Sequence, residues 1–170
     1  MPGWEKVDLN PMEQAMSAET VEQVVGTLDL EGQHDHTFDD KGRVSIPSEF
    51  RGSLGLEEGA ELVVTRHFNQ RCLLLFQPDA WQAFKAVIEA ADPALRPVLR
   101  RVVAGSARRV KVDRLGRIQV PQVLRKFAQL EGRCFVVGQG DRMELWDEAV
   151  WNEMFDPASL QDHDLTGLNL

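Results

Sequence analysis

Apolar and polar positions alternate in the same way at two places in this chain. Val44 and Ile46 alternate with Arg43 and Ser45, and Ile118 and Val120 alternate with Arg117 and Gln119, at an offset of 118 − 44 = 74 residues. A period of two sends Val44 and Ile46 to one face of a strand and the polar pair to the other. Ahead of each run stands Asp-x-x-Gly, as Asp39-Asp40-Lys41-Gly42 and Asp113-Arg114-Leu115-Gly116. Asp bonds the backbone two residues on, and Gly accepts a positive φ, so each tetrapeptide suits a type I turn, and a hairpin is expected. Pro47 and Pro121 then stop the strands and suit a helix start. Short helices follow over 50–54 and 124–128, with Gly55 placed to end the first.

Apolar runs at 62–65, 72–76, 134–137 and 143–146 read as further strands. Trp81, Phe84, Val87 or Ile88, and Ala91 form one stripe at helical spacing behind Asp79 as cap. A basic helix is expected over 98–107, and a terminal helix around Trp151, Met154 and Phe155, ended by Asp156-Pro157. Leu145-Trp146 followed by Trp151 mirrors Leu75-Phe76 followed by Trp81, at 145 − 75 = 70, so the second copy is four residues shorter in a loop. The expected organisation is therefore an amino-terminal extension over 1–28, a first repeat over 29–92, a basic helix and linker over 93–111, a second repeat over 112–156 and an acidic tail over 157–170. Met12, Ala15, Met16, Val21, Val25 and Leu28 give the extension a weak amphipathic pattern without firm boundaries. A mobile arm and a mobile tail are expected.

Composition narrows the class. The chain has 170 residues, 43% hydrophobic, enough for one domain with a true core or two halves sharing one. Its two cysteines, Cys72 and Cys134, lie in apolar runs and read as buried free thiols of a reducing compartment. No apolar run reaches membrane-spanning length, and Glu5 and Asp8 around a lone Lys6 are unlike a secretory signal. A cytoplasmic protein is expected. The net charge of −8 argues against nucleic acid until its distribution is considered. Residues 96–130 carry ten Lys or Arg and one acid, Asp113, while 1–32 carry seven acids and one Lys. Binding follows the field at the contact face, because salt screens charges beyond about 8–10 Å.

Turn formation requires the Asp and the Gly but not an Arg one residue later, on the polar face, twice. Arg43 and Arg117 are therefore candidate contacts to something outside the core, with Lys41 and Arg114 on the turns beside them. The plain alternative is an arginine that pairs with the Asp of its own turn. His34 and His36 share one face of a strand, but no further ligands stand at a familiar metal spacing, so no metal site is expected. No nucleophile elbow, P-loop or dinucleotide fingerprint occurs, and neither an enzyme nor a cofactor is expected.

These residues resemble the MraZ family. The resemblance rests on Asp39-x-x-Gly42-Arg43-x-x-x-Pro47 with Phe50-Arg51, and on Asp113-x-x-Gly116-Arg117-x-x-x-Pro121 with Leu124-Arg125. It rests also on the Val-Val-Gly and Glu144-Leu145-Trp146-Asp147 endings. It implies a mainly β fold with short helices, in which two tandem ββαβ-type repeats of the AbrB/SpoVT swapped-hairpin kind close one pseudo-twofold, double-psi-like barrel. It further implies a nucleoid-associated transcriptional regulator that assembles into rings and binds direct repeats in double-stranded DNA at the promoter of the division and cell-wall gene cluster. Lys41, Arg43, Arg114 and Arg117 are the DNA-binding residues it carries over. Leu115, the basic Arg108-Arg109-Val110-Lys111 and the long extension depart from the family pattern. The rival expectations are an antitoxin-like or sporulation-type regulator on the same half-barrel, and an oligomeric scaffold that binds no DNA.

Overall fold

The computed structural model describes residues 28–161, 163 and 166–168. All of the expected extension except Leu28, and part of the expected tail, lie outside them. The first copy of the repeat runs β1 (Gln33–Thr37), β2 (Arg43–Ser45), α1 (Ser48–Leu54), β3 (Glu61–Arg66), β4 (Leu73–Phe76) and α2 (Pro78–Ala90). A short helix α3 (Arg96–Val102) and a 3-10 turn (Ala104–Ser106) lead into the second copy. That copy runs β5 (Arg108–Lys111), β6 (Arg117–Gln119), α4 (Gln122–Ala128), β7 (Arg133–Gly138), β8 (Met143–Asp147) and α5 (Glu148–Met154), before a last turn of helix, α6 (Pro157–Leu160). The fold is thus mainly β with short helices, and every strand pairing is antiparallel.

The two copies exchange strands. Six strands form one sheet in the order β1-β7-β8-β4-β3-β5, and β2 pairs with β6 in a separate ribbon. Each copy supplies its own hairpin, β3–β4 or β7–β8, and the two hairpins join where Leu73, Leu74 and Leu75 face Leu145, Glu144 and Met143. The opening strand of each copy crosses to the other: β1 lies on β7, and β5 lies on β3.

The hairpins expected around the two turns do not form. Each Asp-x-x-Gly segment does reverse the chain, with Gly42 N–H bonded to Asp39 O at 3.1 Å and Gly116 N–H to Asp113 O at 3.0 Å. The strands on either side of the turn then diverge into different sheets. Strand β1 (Gln-His-Asp-His-Thr) has no apolar side chain to hold β2, whereas β6 places Ile118 directly across from Val44. The pairing between copies buries apolar surface that a local hairpin would leave exposed.

Alternation explains the core. In β4 every residue is buried, yet Leu73 and Leu75 join a central cluster with Val44, Ile46, Phe50, Ile118, Val120 and Leu124, while Leu74 and Phe76 lie under α2 with Trp81, Phe84 and Ile88. Both faces of the sheet are covered at its centre, which is why β3, β4, β7 and β8 read as nearly unbroken apolar runs while the edge strands β1 and β5 do not. A third cluster sets Cys72, Phe135, Val137 and Trp146 against Trp151 of α5 and Phe155 just past its end. Burying a side chain such as Phe50 contributes about 1.5–3 kcal/mol.

Three further expectations need correction. The basic helix expected over 98–107 stops at Val102, the end of α3; a 3-10 turn follows, and 108–111 form strand β5. Its one buried residue, Val110, is too faint a signal, and its pairing with β3 supplies what the sequence pattern lacks. Asp79 does not cap α2. Pro78 occupies the first turn, so Gln77 is the capping position, and Asp79 lies one step inside, where its charge suits the helix dipole. The tail read from 157 begins as helix α6, with Asp156 accepting from the N–H of Ala158 at 2.8 Å.

Candidate nucleic-acid interface

Of the four sequence-predicted residues, Arg43 and Arg117 lie on the ribbon β2–β6, and Lys41 and Arg114 lie on the turns at its two ends. Its inner face carries Val44, Ile46, Ile118 and Val120, each 1% exposed. Its outer face carries Arg43 opposite Gln119 and Ser45 opposite Arg117. Because the strands are antiparallel, the Asp39 turn sits at one end of the ribbon and the Asp113 turn at the other. The glycine carbonyls close each end, with Val120 N–H bonded to Gly42 O at 2.9 Å and Ile46 N–H to Gly116 O at 2.8 Å.

Within each turn one carboxylate organises everything. Asp39 Oδ1 accepts the backbone N–H groups of Lys41 and Arg43 at 2.9 and 2.8 Å, and its Oδ2 accepts Arg43 Nε at 2.6 Å. Asp113 repeats the pattern with Leu115 N–H, Arg117 N–H and Arg117 Nε, each at 2.9 Å. The plain alternative is therefore half right: each arginine does pair with the Asp of its own turn, through Nε. The terminal Nη nitrogens of Arg43 and Arg117 have no partner among the described residues, and both side chains stay about a third exposed, 31% and 27%.

The carboxylates carry a pH signature. The N–H of Arg43 holds the Asp39 carboxyl below its usual range against the opposing effect of desolvation, with Arg43 Nε and Lys41 N–H adding to it; Arg117 and Leu115 do the same for Asp113. A depressed pKa lends stability above the unfolded value, about 3.9, and that contribution is lost as pH falls through the folded one. Acidification below about pH 4 should loosen both turns. Thermal unfolding of Asp39→Asn/Asp113→Asn against pH should lose this part of the acid slope.

A second pair of arginines locks the ends. Arg125 donates from Nε to Val120 O at 3.0 Å and lays its guanidinium over Gly42; Arg51 donates to Ile46 O at 3.1 Å and covers Gly116. Each arginine thus clamps the turn of the other copy. A Cβ on either glycine would stand 2.5 Å from that guanidinium.

Lys41 and Arg114 are exposed at the tips, but they are not equivalent. The 74-residue offset places Lys41 against Leu115, and Asp40 against Arg114. One tip therefore offers Asp40 and Lys41, the other Arg114 and a Leu115 that is 57% exposed. Sequence reasoning did not single out Gln119 as a contact. It stands across from Arg43 and donates Nε2 to Lys41 O at 3.0 Å, and the alternation that exposed Arg117 was its only signal. The basic stretch is less free than its composition suggests. Arg100 pairs with Glu89, Arg109 with Glu61 and Arg117 with Asp113, while Arg96 and Arg125 bond backbone carbonyls.

His34 and His36 do share a face, but His34 meets Glu49 at 3.5 Å and the edge of Phe50, and among the described residues no group of three or more His, Cys, Asp or Glu could hold a metal. Cys72 and Cys134 are buried and free, and burial pushes the Cys134 thiol up to about 12. Among the described residues no helix is long and apolar enough to cross a membrane.

A family model described as "MraZ protein, putative antitoxin-like" matches residues 30–101 and again 103–168. Among curated relatives, a transcriptional regulator MraZ from Marinobacter nauticus is 37% identical over 137 residues, covering 79% of this chain and 91% of that one. Its counterpart from Shewanella loihica is 34% identical over 121 residues, covering 70% and 80%. A solution structure of PHS018 from Pyrococcus horikoshii aligns with a TM-score of 0.33 at 15% identity, covering 69% of this chain and 89% of that one.

Proposed function

The chain belongs to the MraZ family, and on that premise we propose that it is a transcriptional regulator that binds direct repeats in the promoter of the division and cell-wall gene cluster. In this reading the body is a pseudo-twofold swapped-hairpin barrel, supported by the reciprocal pairings β1–β7, β3–β5 and β2–β6. Because the two copies use up their twofold partner within one chain, further assembly uses other surfaces. Direct repeats are related by translation and suit a head-to-tail ring better than a twofold dimer.

The observation that carries the proposal is the arginine held by Nε with its Nη fork free. The major groove admits a two-stranded ribbon, and a guanidinium bonds guanine O6 and N7 in bidentate fashion, worth about 1–3 kcal/mol of discrimination. Asp39 and Asp113 fix the forks in advance, so little side-chain freedom is given up on binding. Arg43 and Arg117 read bases, while Lys41 and Arg114 hold phosphates and set the register. One such contact is weak, but several joined in a ring multiply through effective concentration, by about 10²–10⁴. That is how a chain of net charge −8 binds DNA.

Lys41→Ala/Arg114→Ala tests the division of labour. Fluorescence anisotropy should show affinity falling alike on native and scrambled repeats, and a log–log salt slope reduced by roughly one for each phosphate no longer held. A fall confined to the native repeats would assign these two residues to base reading instead.

A further inference from the structure

Away from the ribbon, two adjoining surface grooves share Arg66 and Phe127. One continues to Arg71 and the other to Arg101 and Arg108. The guanidinium carbons of Arg66 and Arg71 stand 4.0 and 5.3 Å from the centre of the Phe127 ring, within cation–π range, and Arg71 also bonds Phe127 O. None of these four arginines is in ion-pairing reach of a described carboxylate, whereas Arg100, Arg109, Arg133 and Arg142 all are. Arg66 Nε is buried without a hydrogen-bond partner among the described residues. The floor is apolar: Val123, in the same groove as Phe127, is 64% exposed.

Four unneutralised guanidiniums around an apolar floor fit an occupant that is both acidic and apolar. We propose that this occupant is the chain's own amino-terminal segment, residues 1–27. That segment carries Glu5, Asp8, Glu13, Glu19 and Glu22 against a lone Lys6, with Met12, Ala15 and Met16 set among the acids at i, i+3 and i+4. It joins the described fold at Leu28, which packs on the central core. Twenty-seven residues can span about 90 Å when extended, far more than the radius of gyration of about 15 Å expected for a domain of this length. A DNA phosphate would use the guanidiniums but leave the exposed Val123 and the Phe127 ring without a role. The segment uses both.

The test needs no DNA, so its outcome is separate from that of the promoter reading. Backbone hydrogen exchange is compared between the full chain and the same chain carrying Glu5→Gln, Asp8→Asn, Glu13→Gln, Glu19→Gln and Glu22→Gln. Neutralising the segment should speed exchange several-fold at residues 66–71, 101–108 and 122–128 only, the three stretches that line the two grooves, and high salt should do the same to the unaltered chain. Val123→Asp, on an exposed position, should mimic the effect. Equal exchange in the two chains would overturn the proposal. So would protection of the groove that arises only when DNA of random sequence is added, since the groove would then be a phosphate site.

Discussion

Gly42→Val and Gly116→Val should each cost about 2–4 kcal/mol of unfolding free energy in urea, among the largest losses a single substitution can produce here. Two effects add. The backbone sits at φ +75° and +78°, where a β-branched side chain is strained. The new Cβ would also displace a guanidinium 2.5 Å away, Arg125 over Gly42 and Arg51 over Gly116, freeing the carbonyl that each arginine holds. Because each clamp reaches across copies, damage at one turn should lower the whole cooperative transition. Gly52 is the control. It lies inside α1 with open space around it, so Gly52→Ala should raise stability by roughly 0.5–1 kcal/mol.

Arg43→Ala/Arg117→Ala should abolish selectivity for native over scrambled repeats while leaving circular dichroism and the urea midpoint nearly unchanged. Each site gives up about 1–3 kcal/mol of discrimination per subunit, and a ring compounds the loss over every engaged copy. Stability changes little because both carboxylates keep two backbone N–H partners when the guanidinium goes. Asp39→Asn/Asp113→Asn should lie between wild type and this variant, since the forks remain but are no longer held in place. Equal selectivity in the arginine variant and the unaltered chain, measured by competition, contradicts the assignment.

The repeat was legible because its requirements are local. Asp, Gly and Pro at fixed spacing dictate turn, positive φ and helix start, and the alternation of Val44, Ile46, Ile118 and Val120 placed the core face correctly. The partner of each strand was not legible, since β1 has no apolar side chain to declare a neighbour, and β7 stands in the other copy of the repeat. The fate of the charges was equally hidden. The basic composition of 96–130 cannot reveal that Glu89 and Glu61, outside that stretch, neutralise Arg100 and Arg109. The pairing of Arg43 was hidden as well: Nε lies on the Asp of its own turn, and Nη is left to the solvent. Arg51 and Arg125 stood inside the motif, yet their work as clamps on the opposite copy depends on a proximity that only folding creates.

The most direct measurement is a titration of the purified chain on DNA from upstream of its own gene, with native and scrambled repeats, at two salt concentrations, together with the mass of the free and bound particle. The expected result is a multimeric particle that prefers the native repeats and loses affinity steeply as salt rises. A monomer that binds native and scrambled DNA alike would contradict it.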